Sequence, residues 1–159
     1  MVAIAPYIAR LRALVGTELL VLPSAAVIPR DDAGRVLLVR VIDTGQWAVI
    51  GGAIEPDESP ADAARRETEE EAGVTVELGP ILAVLGGPEF RITYPNGDET
   101  SYVSTVFAAR VTGGSPRPDG DETSDVAWWD PARIPYADMS TFTRALLAAV
   151  GLGEHDDGV

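Results

Sequence analysis

The chain has 159 residues, 46% of them hydrophobic and 23% charged, which is enough for one folded domain with a sizeable core and excludes whole-chain disorder. Twelve basic residues stand against 25 acidic ones for a net charge of -13, a field that repels polyanions, so nucleic-acid binding is not expected. There is no cysteine and every basic residue is arginine, which removes disulfides, zinc-thiolate sites, thiol nucleophiles, Schiff-base lysines and a P-loop lysine.

In chain order, Pro6 opens an amphipathic pattern in which Ile8, Leu11, Leu14 and Val15 recur at helical spacing and Arg10, Arg12 and Glu18 are left for solvent. Residues 1–18 are expected to form an N-terminal helix packed on the domain. Leu19 to Pro29 and Arg35 to Ile42 are rich in Leu, Val and Ile and flank Asp31-Asp32-Ala33-Gly34, which predicts a β-hairpin. Trp47 to Ile50 reads as a short strand stopped by Gly51-Gly52, with a loop running on to Ser59. Ser59 or Asp57 can cap a helix that has Pro60 in its first turn and Gly73 at its end.

Val74 to Leu85 is a predicted strand, and Phe90 to Tyr94 and Thr100 to Val111 flank Pro95-Asn96-Gly97-Asp98, where Asn-Gly signals a second hairpin. Thr112 to Asp121 is a Gly/Pro loop, and Val126 to Trp129 is a short strand with one tryptophan ring expected inside and one outside. Thr141 to Val150 is an apolar helix, and residues 151–159 are expected to be a flexible tail. That tail holds His155, the single histidine, so Ser-His-Asp catalysis is not expected. Residues 19–150 carry no repeat, linker or uncharged apolar run of membrane-spanning length, and a soluble, cytoplasmic protein with no membrane partner is expected. The element order and predominance of antiparallel pairing predict an α+β fold with helices on a mixed, largely antiparallel sheet, and not a Rossmann fold.

The helix over residues 60–72 carries Arg65, Arg66, Glu67, Glu69, Glu70 and Glu71. Glu67, Glu70 and Glu71 stand at i, i+3 and i+4, so their carboxylates project from one face and can converge on a hard divalent cation. Taken alone, the spacing also fits a solvated acidic face.

Gly52, Glu58, Arg66-Glu67, Glu70-Glu71 and Gly73-Val74 together resemble the Nudix box, Gly-x5-Glu-x7-Arg-Glu-U-x-Glu-Glu-x-Gly-U with U apolar, in register across residues 52–74. The resemblance extends more loosely over the strands from about Leu22 to Trp129. Two positions depart from it. Thr68 stands where an apolar residue is usual and can pack with its hydroxyl bonded one turn back, while Ile50 replaces a common proline and is expected to loosen or redirect the loop.

The resemblance implies a Nudix-type α/β/α sandwich and a hydrolase that uses Mg2+ or Mn2+ to cleave a nucleoside diphosphate linked to another moiety. It implies that Glu67, Glu70, Glu71 and the Gly52 carbonyl hold the metal, that Glu67 is a candidate base, and that Glu58 and Arg66 pair to tie the loop to the helix. In some members a glutamate of a later loop is the base, and Glu122, beside Asp119 and Asp121, is the candidate for that role. Pro88 points weakly to ADP-ribose or an NDP-sugar as substrate; a MutT-like nucleoside triphosphate pyrophosphatase and a non-catalytic nucleotide-sensing module are the alternatives. Phe90, Tyr94 and Tyr102 are candidates to stack on a base and Arg40 and Arg91 to bind phosphate, although packing and solvation account for the same residue types. Family members are frequently homodimers, which makes the N-terminal helix a candidate interface.

Overall fold

A computed structural model describes residues 4–154, so His155 and the end of the expected tail lie outside the described residues. The helices are α1 (Pro6–Val15), α2 (Pro60–Ala72) and α3 (Thr141–Ala149). The strands are β1 (Leu20–Pro29), β2 (Val36–Val41), β3 (Trp47–Ala48), β4 (Ile50–Ala53), β5 (Val74–Leu85), β6 (Arg91–Thr93), β7 (Glu99–Gly114) and β8 (Thr123–Trp129). One sheet runs β4-β1-β7-β5 with β6 added beside β7, and the other runs β3-β2-β8. Among the described residues β1 and β7 are the one parallel strand pair, with an isolated parallel bridge from Trp47 to Met139.

β1 is apolar on both faces because both are covered. Ala25 and Val27 pack on Ala63, Ala64 and Ala72 of α2, whereas Ala26 and Ile28 join Leu146 and Leu147 of α3 on the other side. This is the α/β/α sandwich. The β6–β7 hairpin forms at its Asn-Gly turn, where Gly97 has φ 91°, a conformation that disfavours any side chain.

The first expected hairpin does not form. Both edges of β1 are occupied by β4 and β7, so β2 crosses into the second sheet, and a single bridge, Arg30 to Val36, joins the two segments. Gly51 and Gly52 do not stop a strand either. They pair with Ala26 and Ala25 inside β4, and a side chain at Gly51 would overlap the Ala25 carbonyl. Ile50 is fully buried against the α2-side core, so it anchors β4 where a looser loop was expected.

Trp128 packs toward the α2-side core and Trp129 toward the α3-side core, both half-buried, because the second sheet is also covered on two faces. Trp129 meets Trp47 edge-on at 5.2 Å between ring centroids. Residues 151–154 are docked where fraying was expected: Leu152 is buried, its carbonyl accepts from the Tyr136 hydroxyl at 2.7 Å, and Arg144 pairs with Glu154 at 2.8 Å.

α1 keeps Ile8 and Leu11 half-buried and Arg10 exposed as expected, but departs from its expected polarity at Arg12 and Leu14. Arg12 turns inward, donating to the Glu99 carbonyl at 2.7 Å, the Glu18 carbonyl at 2.6 Å and Thr100 Oγ1 at 3.1 Å, while Leu14 is 83% exposed. No residue of α1 is buried. Among the described residues no helix is long and apolar enough to cross a membrane.

Candidate active site

α2 starts and ends on local signals. Ser59 is the N-cap, its hydroxyl accepting from the Asp62 N–H at 3.1 Å, and Gly73 closes the helix with φ 68°. Thr68 is fully buried and donates its hydroxyl to the Ala64 carbonyl at 2.7 Å, as its shape allows. The alanines of the inner stripe bring α2 close to β4, and this approach takes Glu67 and Glu71 into the interior at 7% and 8% exposure, leaving Glu70 exposed. The Glu67 carboxylate lies directly against Gly52, where any Cβ would overlap it. Glu71 Oε2 accepts from the Gly51 N–H at 3.3 Å.

Arg66 joins loop and helix. Its Nε and Nη2 grip the two oxygens of Glu58 at 2.8 and 3.0 Å, and Nη2 also donates to the Ala53 carbonyl at 3.1 Å. Its Nη1 reaches Glu67 Oε1 at 2.7 Å and Glu70 Oε2 at 3.1 Å. The Arg66 hydrogen bonds hold the Glu58 carboxyl below its ordinary range against partial burial, with help from the Glu55 N–H.

The other carboxyls move the opposite way. Burial pushes Glu67 up against the opposing Arg66 contact, and the charges of Glu70 and Glu122 add to the rise. Burial pushes Glu71 well up, reinforced by Glu67, Glu122 and Asp119 and opposed by the Gly51 N–H. Glu122 is raised by burial and then by Asp119 and Glu70. Glu122 therefore shares one electrostatic field with the α2 carboxylates despite its distance along the chain.

A built loop puts it there. Asp119 Oδ1 accepts the N–H groups of Asp121, Glu122 and Thr123 at 3.0, 2.9 and 2.9 Å. The buried Thr123 hydroxyl donates to the Glu71 carbonyl at 2.7 Å, and the Arg117 N–H donates to the Ala72 carbonyl at 2.9 Å. Thr123 was not apparent as a site-positioning residue from sequence. An Asp four residues before a Thr suggests a side-chain-capped turn, but nothing local says that the turn docks on the end of α2.

The donor set fits a hard divalent cation in kind: carboxylate oxygens crowded on one helix face, raising one another's pKa, beside a close-packed glycine backbone. Among the described residues no three acidic or histidine side chains converge closely enough to hold an ion as they stand, and Arg66 Nη1 bonds to both Glu67 and Glu70.

The candidate substrate contacts lie elsewhere. Phe90 is buried edge-on against Phe142 at 5.0 Å, Tyr102 meets the same ring at 6.1 Å, and the Tyr94 and Tyr102 hydroxyls share a hydrogen bond of 2.7 Å. Arg91 is paired with Glu99. All four belong to the β6–β7 region; Phe90 and Tyr102 lie on the α3 side of the first sheet, whereas Arg91 stands beside Ser101 on its other face. Arg40 donates to the Gly45 carbonyl at 2.8 Å and pairs with Asp138 at 3.5 Å.

The family model of the NUDIX domain matches residues 21–150. A MutT-like protein of Streptomyces ambofaciens is 33% identical over 132 residues, 82% of this chain and 78% of that one. The nucleoside triphosphatase NudI of Salmonella heidelberg is 33% identical over 126 residues, 75% of this chain and 89% of its own length. Among solved structures, a MutT NUDIX hydrolase from Burkholderia pseudomallei superposes with TM-score 0.66 at 26% identity, covering 84% of this chain and 98% of that one. The box seen in the sequence thus sits on the fold that these proteins share, and the chain belongs to the Nudix family of hydrolases acting on the pyrophosphate bonds of nucleotide derivatives.

Proposed function

We propose that the chain is a MutT-like, Mg2+- or Mn2+-dependent hydrolase of nucleoside triphosphates that releases a nucleoside monophosphate and pyrophosphate. The observation that carries the chemistry is the placement of the Glu67 carboxylate against Gly52 and of Glu71 on the Gly51 N–H, with Thr123 tying the loop of Glu122 to the Glu71 carbonyl. The substrate class is supported by the relatives above 30% identity, a MutT-like protein and a nucleoside triphosphatase. The likeness to an ADP-ribose pyrophosphatase from Streptococcus suis, at 23% identity, is one of fold. Pro88, which favoured ADP-ribose, has a structural reason to be there: it opens a short 3-10 turn after Gly87.

In this reading Glu67, Glu70, Glu71 and the Gly52 carbonyl hold the metal, which when bound neutralises phosphate charge and lowers the pKa of water. Arg66 orients Glu67 and is itself held by Glu58. Glu122, or Glu67, accepts the proton of the attacking water. A bond forms from water oxygen to phosphorus as the bridging P–O bond breaks, and pyrophosphate leaves.

A product-resolved chromatographic panel of (d)NTPs, ADP-ribose and NDP-sugars, with Mg2+, Mn2+ or EDTA, tests this. Monophosphate and pyrophosphate from triphosphates, abolished by EDTA, is the expected result. Glu70→Gln should lose turnover by roughly 100-fold or more with the fold intact. Metal-dependent cleavage of ADP-ribose with triphosphates untouched would move the substrate to the NDP-linked class, and near-normal Glu70→Gln activity would refute the metal assignment.

A further inference from the structure

Arg66 uses every donor it has. Its five hydrogen bonds match the five N–H groups of a guanidinium: three run to the loop, at both Glu58 oxygens and the Ala53 carbonyl, and two run from Nη1 to Glu67 and Glu70. Among the described residues no other arginine is paired with a box carboxylate of α2, and Arg66 is also the cation that opposes the rise of Glu122. One positive charge thus serves a helix face crowded with acids.

The two carboxylates on Nη1 are held unequally. The Glu67 side chain is 9% exposed, its bond to Nη1 is 2.7 Å long and it lies against Gly52, so it has little room to turn. The Glu70 side chain is 53% exposed and its bond is 3.1 Å long. Glu70 also stands four residues after the arginine, the weaker order for a helical ion pair, because the acid then lies toward the negative end of the helix dipole. An exposed pair of this kind costs little to break. With Nη1 bonded to two of them, the three box carboxylates Glu67, Glu70 and Glu71 do not converge closely enough to hold an ion.

We infer that Arg66 is a resident counter-cation that competes with the divalent ion for Glu70: Glu70 leaves Nη1 when the ion binds, while Glu67 stays on Nη1 and keeps its place beside Gly52. This rests on the reading of Glu67, Glu70 and Glu71 as metal ligands. Glu58 sets the balance, since its two bonds draw the guanidinium toward the loop and away from the acids. Arg66 therefore does two things that a tie between loop and helix would not. It neutralises the acids of α2 while the ion is away, and it lowers the affinity for the ion by keeping a positive charge beside it.

Mn2+ binding to the full-length protein without substrate, read from the electron paramagnetic resonance signal of free Mn2+ in weakly alkaline buffer, tests this apart from turnover. Arg66→Gln, checked for fold by circular dichroism, should bind Mn2+ about 10-fold more tightly than the parent, because a positive charge beside the ion is gone. Glu58→Gln should bind it about 3-fold more weakly, because Arg66 keeps its charge and leans further onto Glu67 and Glu70. If Arg66 only ties the loop to the helix, both substitutions loosen the site alike; that result, or an Arg66→Gln affinity equal to the parent's, would overturn the inference. A crystal structure of the parent with Mn2+ bound, which needs no variant to fold, should show Glu70 off Nη1 and Glu67 on it. Glu70 still on Nη1 there would overturn the inference too. Glu70→Gln separates this from the metal assignment: it should weaken Mn2+ binding by roughly 10-fold, and parental affinity in that variant would refute the assignment itself and the competition with it.

Discussion

Glu67 and Glu71 are carboxylates buried with fewer cationic contacts than their charge asks for, and Gly52 is the glycine that makes room for one of them. Gly52→Ala would force the Glu67 carboxylate aside. We expect turnover to fall by about 100-fold with little change in melting temperature, measured by steady-state kinetics beside thermal unfolding. Glu71→Gln should behave differently, because a carboxyl whose folded pKa lies above its unfolded value opposes folding while ionised. In EDTA the variant should be inactive yet more stable than the parent by about 1–2 kcal/mol in chemical denaturation, with the gap closing as pH falls through the raised folded pKa. Glu58 has the reverse sign. Its pKa is lowered by Arg66, so its contribution is full above the unfolded value and is lost as pH falls through the folded one; the stability deficit of Glu58→Gln should therefore shrink on acidification. The Glu58–Arg66 pair was legible through the resemblance of residues 52–74 to the Nudix box. That Arg66 also bridges Glu67 and Glu70 was not, because it depends on which way the helix turns its side chains into the loop.

α2 was legible almost to its ends, since Ser59, Pro60 and Gly73 are signals read by the backbone within one turn. Ser59→Ala should cost about 1 kcal/mol of stability by thermal or urea unfolding. The loop of residues 119–123 is the less legible element, because its key bond runs from Thr123 to the Glu71 carbonyl, far away in sequence. Thr123→Val should misplace Glu122 and lower kcat by about 10- to 100-fold with KM little changed, and Thr123→Ser should recover most of the loss. Equal kcat for the valine and serine variants would remove Thr123 from any positioning role. The β1–β2 hairpin failed as an expectation for a related reason: two apolar runs around a good turn look alike whether they pair with each other or with strands elsewhere.

Across the whole molecule, β1 separates two cores, one under α2 and one under α3, and the carboxylates belong to the first. Leu146→Ala, at a fully buried position on α3, should cost about 2–5 kcal/mol with the active-site pKa order unchanged in surviving folded protein. The aromatic candidates Phe90 and Tyr102 lie on that α3 side, engaged with Phe142. Alternation along a strand tells which residues share a face, but it does not say which face meets the catalytic helix.

By itself the sequence determined the reaction class and the helix that carries it. The box is a local code: i, i+3 and i+4 acids, a cap, a terminal glycine and an arginine at a fixed offset are all read within 23 residues, 52–74. Tertiary structure alone decided the inward turn of Arg12, the exposure of Leu14, the strand within which Gly51 and Gly52 lie, and the docking of Glu122 against α2. Each of these depends on contacts between segments distant in sequence, whose free energy is set by what fills the facing surface, and no local pattern carries that information.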